Sequence, residues 1–251
     1  MRRNSAKSAD PAKKTARIVL RLEGTFGVPK RPRKFAAPLD MLIATILSQN
    51  TNDINSHRAY LSLRKKFPKW EQVKSATPAS IAAAIRTGGM AKQKSVVIKN
   101  VLNGLSDRFG MISLSHLKNR PNQEIVEILC SLDGVGLKTA SCVLLFSLGR
   151  DAFPVDTHVH RICNRLGLVR NCNTPEKTFE AMKDLVPKGK SYSLHINLIR
   201  FGRKICRSAN PLCGVCPLYE DCVYAEKGNY RKSTAAMMGD EKVNFMLLDN
   251  V

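Results

Sequence analysis

The sequence predicts an all-α fold of about ten short helices. Three observations carry that expectation. Apolar residues Met41, Leu42, Ile43, Ile46 and Leu47 recur at helical spacing. Helix starts repeat along the chain: Thr77-Pro78 and Thr174-Pro175 each join a capping hydroxyl to a first-turn proline. No sustained period-two alternation bounded by hairpin turns occurs.

Local signals place the elements along the chain. Residues 1–34 read as a basic, irregular lead, with Arg2, Arg3, Lys7, Lys13, Lys14 and Arg17 before the first apolar cluster and Lys30-Arg31-Pro32-Arg33-Lys34 after it. Such runs serve as flexible tails, DNA clamps or nuclear addresses. Asp40 is the expected N-cap of the first strongly apolar helix. A second helix covers Asn52 to about Phe67, and Thr77-Pro78 opens another through Ile85. Gly88-Gly89 breaks the chain, and Lys92 to Phe109 is a helix closed by Gly110. Pro121-Asn122 opens a helix to about Leu132, and the next starts near Leu137. Thr174-Pro175 precedes a helix over Glu176–Leu185, and Ser191 to Ile205 is a further one. Beyond Gly228 the pattern fades.

The chain has 251 residues, 43% of them hydrophobic, enough for one large domain or two small ones with a substantial core. Its 41 Lys+Arg against 20 Asp+Glu leave a formal charge of +21. A polyanionic partner, most simply nucleic acid, explains that better than a merely solvated basic surface. Charge alone does not separate DNA from RNA or from anionic lipid. No secretory signal is present, and no apolar run approaches the ~20 residues that span a bilayer. The expectation is an intracellular protein with no membrane contact: cytoplasm or nucleoid in a prokaryote, nucleus or organelle in a eukaryote. Thiols there stay reduced, so the eight cysteines call for an explanation other than disulfides.

Four of them, Cys206, Cys213, Cys216 and Cys222, have the spacing C-x6-C-x2-C-x5-C. Thiolates this close in sequence suit zinc or an iron–sulfur cluster. Cys130, Cys142 and Cys163 have no such spacing and read as core residues. Upstream, an apolar helix end meets Asp133-Gly134-Val135-Gly136, and another helix comes next. Glycine lets the backbone turn tightly, and a helix N-terminus presents free N–H groups to a phosphate. Val135 is expected to pack between the helices. Lys138 stands two residues past the second glycine, followed by the small residues Thr139, Ala140 and Ser141.

Gly134-Val135-Gly136-Leu137-Lys138-Thr139-Ala140, followed by Val155-Asp156-Thr157-His158, resembles the helix–hairpin–helix DNA glycosylases of the endonuclease III family. The cysteine spacing matches that family's [4Fe–4S] loop, and the resemblance covers about residues 35–228. It implies two helical domains with a DNA cleft between them. Residues 38–149 would form a six-helix barrel, with the helix–hairpin–helix at about 126–146. Residues 150–228 would form the iron–sulfur domain, joined by an N-terminal helix within 1–37, with 229–251 as a tail. Lys138 falls at the family's nucleophile position and Asp156 at that of its catalytic carboxylate. A lysine amine attacks the sugar C1′ and forms a Schiff base; a carboxylate assists it and stabilises developing positive charge. An Asp before a helix is also an N-cap, and the two roles coexist. His158, His160 and His195 read as packing or surface groups.

A glycosylase must extrude its base and fill the gap. Leu47-Ser48-Gln49-Asn50-Thr51-Asn52-Asp53 resembles the family's wedge loop, with Asn50 where the family has Gln and Gln49 one place early. Met90 matches an apolar plug position, and Lys92 and Lys94 are placed to touch DNA backbone. Arg200, Arg203, Lys204 and Arg207, beside the cysteines, are further phosphate candidates. Asp133 and Leu137 depart from the family's usual Pro and basic residue.

The resemblance implies a bifunctional glycosylase/AP lyase for oxidised pyrimidines, carrying a [4Fe–4S] cluster and acting as a monomer on double-stranded DNA with a lesion or abasic site. Three readings compete with it. They are a uracil or thymine mismatch glycosylase, an adenine-mismatch glycosylase, and a non-catalytic nucleic-acid-binding zinc module. The second of these normally needs a further C-terminal domain, and the last has no need of Lys138 with Asp156.

Overall fold

The computed structural model describes residues 10–233, and every regular element among them is helical. The chain divides into two compact units, whose described parts are residues 31–152 and residues 10–30 with 153–233.

In the first unit, α2 (Pro38–Ser48) and α8 (Leu137–Phe146) pack together and are buried along most of their length. Leu42, Ile43, Ile46, Leu47, Ala140, Val143 and Leu145 are fully buried. Around them stand α3 (Asp53–Lys66), α4 (Trp70–Ser75), α5 (Pro78–Ala84), α6 (Ala91–Phe109) and α7 (Asn122–Cys130). Their ends follow local chemistry. Asn52 and Thr77 cap α3 and α5 by accepting from the N–H groups of Asn55 and Ser80, and Gly110 closes α6 in the left-handed conformation. The helix expected to run to Leu132 ends two residues early, at Cys130.

Asp40 is not the N-cap of α2. Pro38 takes the first helical position, so the helix opens at Ala37. The Asp40 carboxylate instead accepts from Tyr60 Oη at 2.9 Å and Trp70 Nε1 at 3.2 Å, joining α2 to α3 and α4.

The second unit contains α1 (Pro11–Phe26), α9 (Thr157–Arg165), α10 (Pro175–Met182) and α11 (Ser191–Lys204). Within the lead read as irregular, residues 11–26 form a helix, in line with the N-terminal helix the resemblance implies, and residues 1–9 lie outside the described residues. Asp10 caps α1, and Ile18, Val19 and Leu22 bury its apolar stripe against α11. The basic residues of α1 lie on the other face and work there. Lys14 donates to the Leu166 carbonyl, and Arg17 and Arg21 both pair with Asp221. No helix among the described residues is long and apolar enough to cross a membrane. The tail expected over 229–251 lies mostly outside the described residues.

Candidate functional site

The hairpin joins α7 to α8 through local backbone bonds, Leu132 N–H donating to Leu129 and Val135 N–H to Leu132, each within 3.2 Å, and Ser131 at its start accepts from Arg108 of α6 at 2.5 Å. Gly134 has φ +83, and a Cβ there would stand 2.6 Å from Val97 Cγ1 of α6. Both facts demand glycine. Val135 is buried, as expected, and its N–H is spent within the turn. Gly136 is the N-cap of α8 in an extended conformation, and a Cβ on it would meet nothing within 4 Å. Protein packing thus explains the first glycine and leaves the second to some other cause. Lys138 stands on the first turn of α8, half-buried. Thr139, Ala140 and Ser141 are buried, as close helix packing requires.

The other candidate loops of this unit adjoin one another. Gln49 is half-buried at the end of α2, and Asn50 beyond it is exposed with φ +51. Met90 is 48% exposed with φ +49. Asn50 Nδ2 lies 3.5 Å from Met90 Sδ, so the two meet. Asparagine tolerates the left-handed region; an exposed methionine there is unusual. Lys92 is exposed. Lys94 corrects the expectation of a backbone contact. It is 4% exposed, and its ammonium donates to the carbonyls of Leu47 at 2.8 Å and Gly88 at 2.7 Å. Burial pushes that ammonium below the ordinary lysine value.

In the other unit Asp156 caps α9, accepting from Val159 N–H at 2.7 Å through Oδ1. Its second oxygen has no hydrogen-bond partner among the described residues. Phe153, Pro154 and Val155, which lead into it, are buried. His195, 3% exposed, faces the Pro154 carbonyl at 2.9 Å through Nδ1. It holds the segment that positions Asp156. His160 binds Thr178, and His158 faces the Arg161 guanidinium.

Cys206, Cys213, Cys216 and Cys222 line one partly open cavity. Phe201, Leu212 and Leu166 form its apolar wall. Burial pushes the thiols of Cys213 and Cys222 up, and that of Cys216 to about 12. Among the described residues, no three Cys, His, Asp or Glu side chains converge closely enough for a single metal ion. The thiols surround a space instead of a point.

Cations encircle that space, and sequence reasoning missed them. Arg165 reaches Cys206 Sγ at 3.5 Å and donates to the Arg207 and Ser208 carbonyls at 2.6 and 3.1 Å. Arg161 donates to the Cys206 carbonyl at 2.8 Å, and Lys227 to the Cys222 carbonyl at 2.6 Å. The i, i+4 spacing of Arg161 and Arg165 after Asp156 was visible; their destination was not. Gly214 sits under the segment that follows the loop: a Cβ would stand 2.4 Å from the Arg231 carbonyl oxygen. Of the phosphate candidates, Arg203 is exposed and Lys204 half-buried. Arg200 is engaged internally, donating to the Phe26 carbonyl at 3.3 Å.

Comparisons with known proteins agree on the lineage. The family model described as HhH-GPD superfamily base excision DNA repair protein matches residues 43–188, more than half of the chain. The endonuclease III of Thermotoga maritima is 36% identical over 207 residues, 81% of this chain and 92% of that protein. An Arabidopsis thaliana protein named as a DNA glycosylase is 43% identical over 168 residues, and the match spans 67% of this chain and 57% of that relative's length. A solved structure of a non-covalent endonuclease III–DNA complex superposes with a TM-score of 0.75 at 25% identity, covering 88% of this chain and 99% of the other. A hairpin that leads into α8 with Lys138 on its first turn, a capped Asp156 and a ring of four cysteines sit within that shared fold, and the chain belongs to the endonuclease III family of the HhH-GPD superfamily of base-excision DNA repair proteins.

Proposed function

We propose that this chain is a DNA glycosylase with lyase activity, excising a damaged pyrimidine and cutting the strand through a Schiff base on Lys138. The observation that carries the reading is the placement of Lys138. It stands on the first turn of α8, at a helix N-terminus whose Gly136 leaves room for a partner's backbone. A phosphate there would be held by free N–H groups and the helix dipole. The neighbouring lysine would then face the sugar.

The neutral Nζ of Lys138 attacks C1′, and the base leaves with the glycosidic electron pair and takes up a proton. The sugar ring opens to an iminium on the lysine. Loss of a C2′ proton then expels the 3′ phosphate by β-elimination, and water releases the lysine. Asp156 serves as the catalytic carboxylate. One oxygen is committed to capping α9, and the second serves the positive charge that develops at the sugar. Gln49, Asn50 and Met90 fill the gap left by the extruded base; Lys92, Arg203 and Lys204 meet phosphates.

The four cysteines fit a [4Fe–4S] cluster better than one zinc ion. Zinc needs sulfurs converging at about 2.3 Å, and these thiols line a cavity instead. Cys206, Cys213, Cys216 and Cys222 would hold the cluster, which would supply structure and a charge centre, not reaction steps. Its anionic surroundings match Arg161, Arg165 and Lys227.

Borohydride trapping on duplex DNA with one thymine glycol tests the reading. The native protein is expected to form a covalent complex, and Lys138→Ala to lose it by about a thousandfold or more. Trapping only on an abasic site keeps the lyase and moves the substrate to a mismatched uracil or thymine. No trapping on either DNA overturns the proposal.

A further inference from the structure

Lysine is among the side chains least often fully buried, and a buried one is normally paired. Lys94 is 4% exposed, and among the described residues no carboxylate pairs with it. Its ammonium instead spans two carbonyls from different parts of the chain. One is that of Leu47, in the last turn of α2, where the carbonyls lack helical partners and the dipole is negative. The other is that of Gly88, at the end of the short 3-10 turn of residues 86–88. Lys94 is therefore a shared C-terminal cap for two helical segments.

The residues just beyond each capped carbonyl give the arrangement its meaning. Three residues after Leu47 comes Asn50, and two after Gly88 comes Met90. Both hold positive φ, and their side chains meet at 3.5 Å. A methionine in the left-handed region persists only where its surroundings over-determine it. Three features do so here. Lys94 N–H donates to the Met90 carbonyl at 3.0 Å, Lys94 Nζ holds the preceding segment, and Gly88 is seated so tightly that a Cβ would stand 3.0 Å from Ala59 Cβ.

We infer that Lys94 is a positioning residue: by tying the end of α2 to the Gly88–Met90 turn it holds Asn50 and Met90 together as the pair that enters the base stack. This rests on the proposed function, which gives those side chains their DNA role. Lys94 itself touches neither DNA nor the reacting atoms. Its removal would leave the backbone of each segment intact but free to move against the other.

The test reads stacking apart from chemistry. A duplex with an uncleavable tetrahydrofuran abasic analogue carries 2-aminopurine opposite the gap, whose fluorescence rises on unstacking. At saturating native protein a rise is expected; with Lys94→Met it should fall at least fivefold, with binding affinity within threefold of native. Lyase activity on single-stranded abasic DNA, which has no pair to open, should stay within twofold, while duplex activity drops about tenfold. In a Met90→Ala background the same substitution should cost less than twofold, because the element it positions is gone.

Several results overturn the inference. Native-like unstacking by Lys94→Met does so while leaving the proposed function standing. An equal loss on single and double strands does so too, since it places Lys94 in the chemistry or the general fold. A native protein that neither unstacks nor cleaves removes the proposed function and this inference together. If Lys94→Met fails to fold by circular dichroism, Lys94→Gln, which keeps a donor, replaces it. Failure of both assigns Lys94 to folding alone and overturns the positioning role.

Discussion

The hairpin before α8 and the cysteine loop are both short segments outside the α-helices, both turn through local backbone bonds, and they differ in how much they lean on distant side chains. The hairpin closes on itself. Its bonds run from Leu132 to Leu129 and from Val135 to Leu132, and its one left-handed residue is a glycine. The cysteine loop closes on other parts of its unit. Arg17 and Arg21 of α1, Arg161 and Arg165 of α9, and Lys227 beyond the loop all reach into it, and its thiols face inward at a cost that burial makes plain. A segment built from local backbone bonds can form early and alone. A segment that leans on distant cations and turns its thiols inward depends on the rest of its unit.

The largest expected difference between the two comes from the cysteines. On the proposed reading, replacing Cys216 by Ser removes one of four cluster ligands and leaves three thiols without a common centre. The unit that contains the loop should lose about 4 kcal/mol, a fall of about 20 °C in its melting transition. The visible absorption of a bound cluster should disappear with it. The hairpin unit, residues 31–152, should keep its helical signal through that first transition, so calorimetry should resolve two steps where the native protein shows a later or single one. A variant that melts like the native protein would show that the loop does not depend on its thiols.

The converse break is Gly134→Ala. The left-handed backbone costs an L-residue about 1–2 kcal/mol, and the 2.6 Å approach to Val97 Cγ1 adds about 1–2 more. Chemical denaturation should show a loss of about 3 kcal/mol in the hairpin unit, with the cysteine loop's absorption unchanged. Adding Val97→Ala relieves the contact but not the dihedral, so the double variant should recover only part of the loss. Full recovery would mean that packing alone demands the glycine.

Legibility in the sequence divides along the same line. Thr77 and Thr174 were readable as caps because the bonds they make are three residues long, to Ser80 and Lys177. Gly110, the hairpin and the start of α8 were readable for the same reason, and Asp156 as a cap before α9. The resemblance then supplied roles for Lys138 and Asp156 that local patterns do not contain. The errors arose wherever a side chain's partner is distant. Asp40 looks like a cap until Tyr60 and Trp70 claim its carboxylate. The basic lead looked irregular because its charges mask Ile18, Val19 and Leu22, whose burial depends on α11. Lys94 carries the charge of a phosphate contact and is spent on two carbonyls inside the protein.

The smallest expected effect tests how the cysteine loop is tied to α1. Asp221 is 9% exposed and accepts from Arg17 at 2.6 Å and Arg21 at 2.9 Å, while the two arginine side chains stay nearly half exposed. Exposed ion pairs contribute little, but a buried carboxylate serving two guanidinium groups leaves both unbalanced when it is lost. Asp221→Asn keeps the shape and one acceptor oxygen, so the expected cost is about 1 kcal/mol, or about 5 °C. Arg17→Ala and Arg21→Ala should each cost less, because the remaining arginine still answers the carboxylate. The rate at which a chelator bleaches the cluster should rise in the same order. If Asp221→Asn bleaches no faster than the native protein, α1 contributes packing through Ile18 and Leu22 but does not fasten the loop, and the contrast with the self-closed hairpin narrows to the cations of α9 and Lys227.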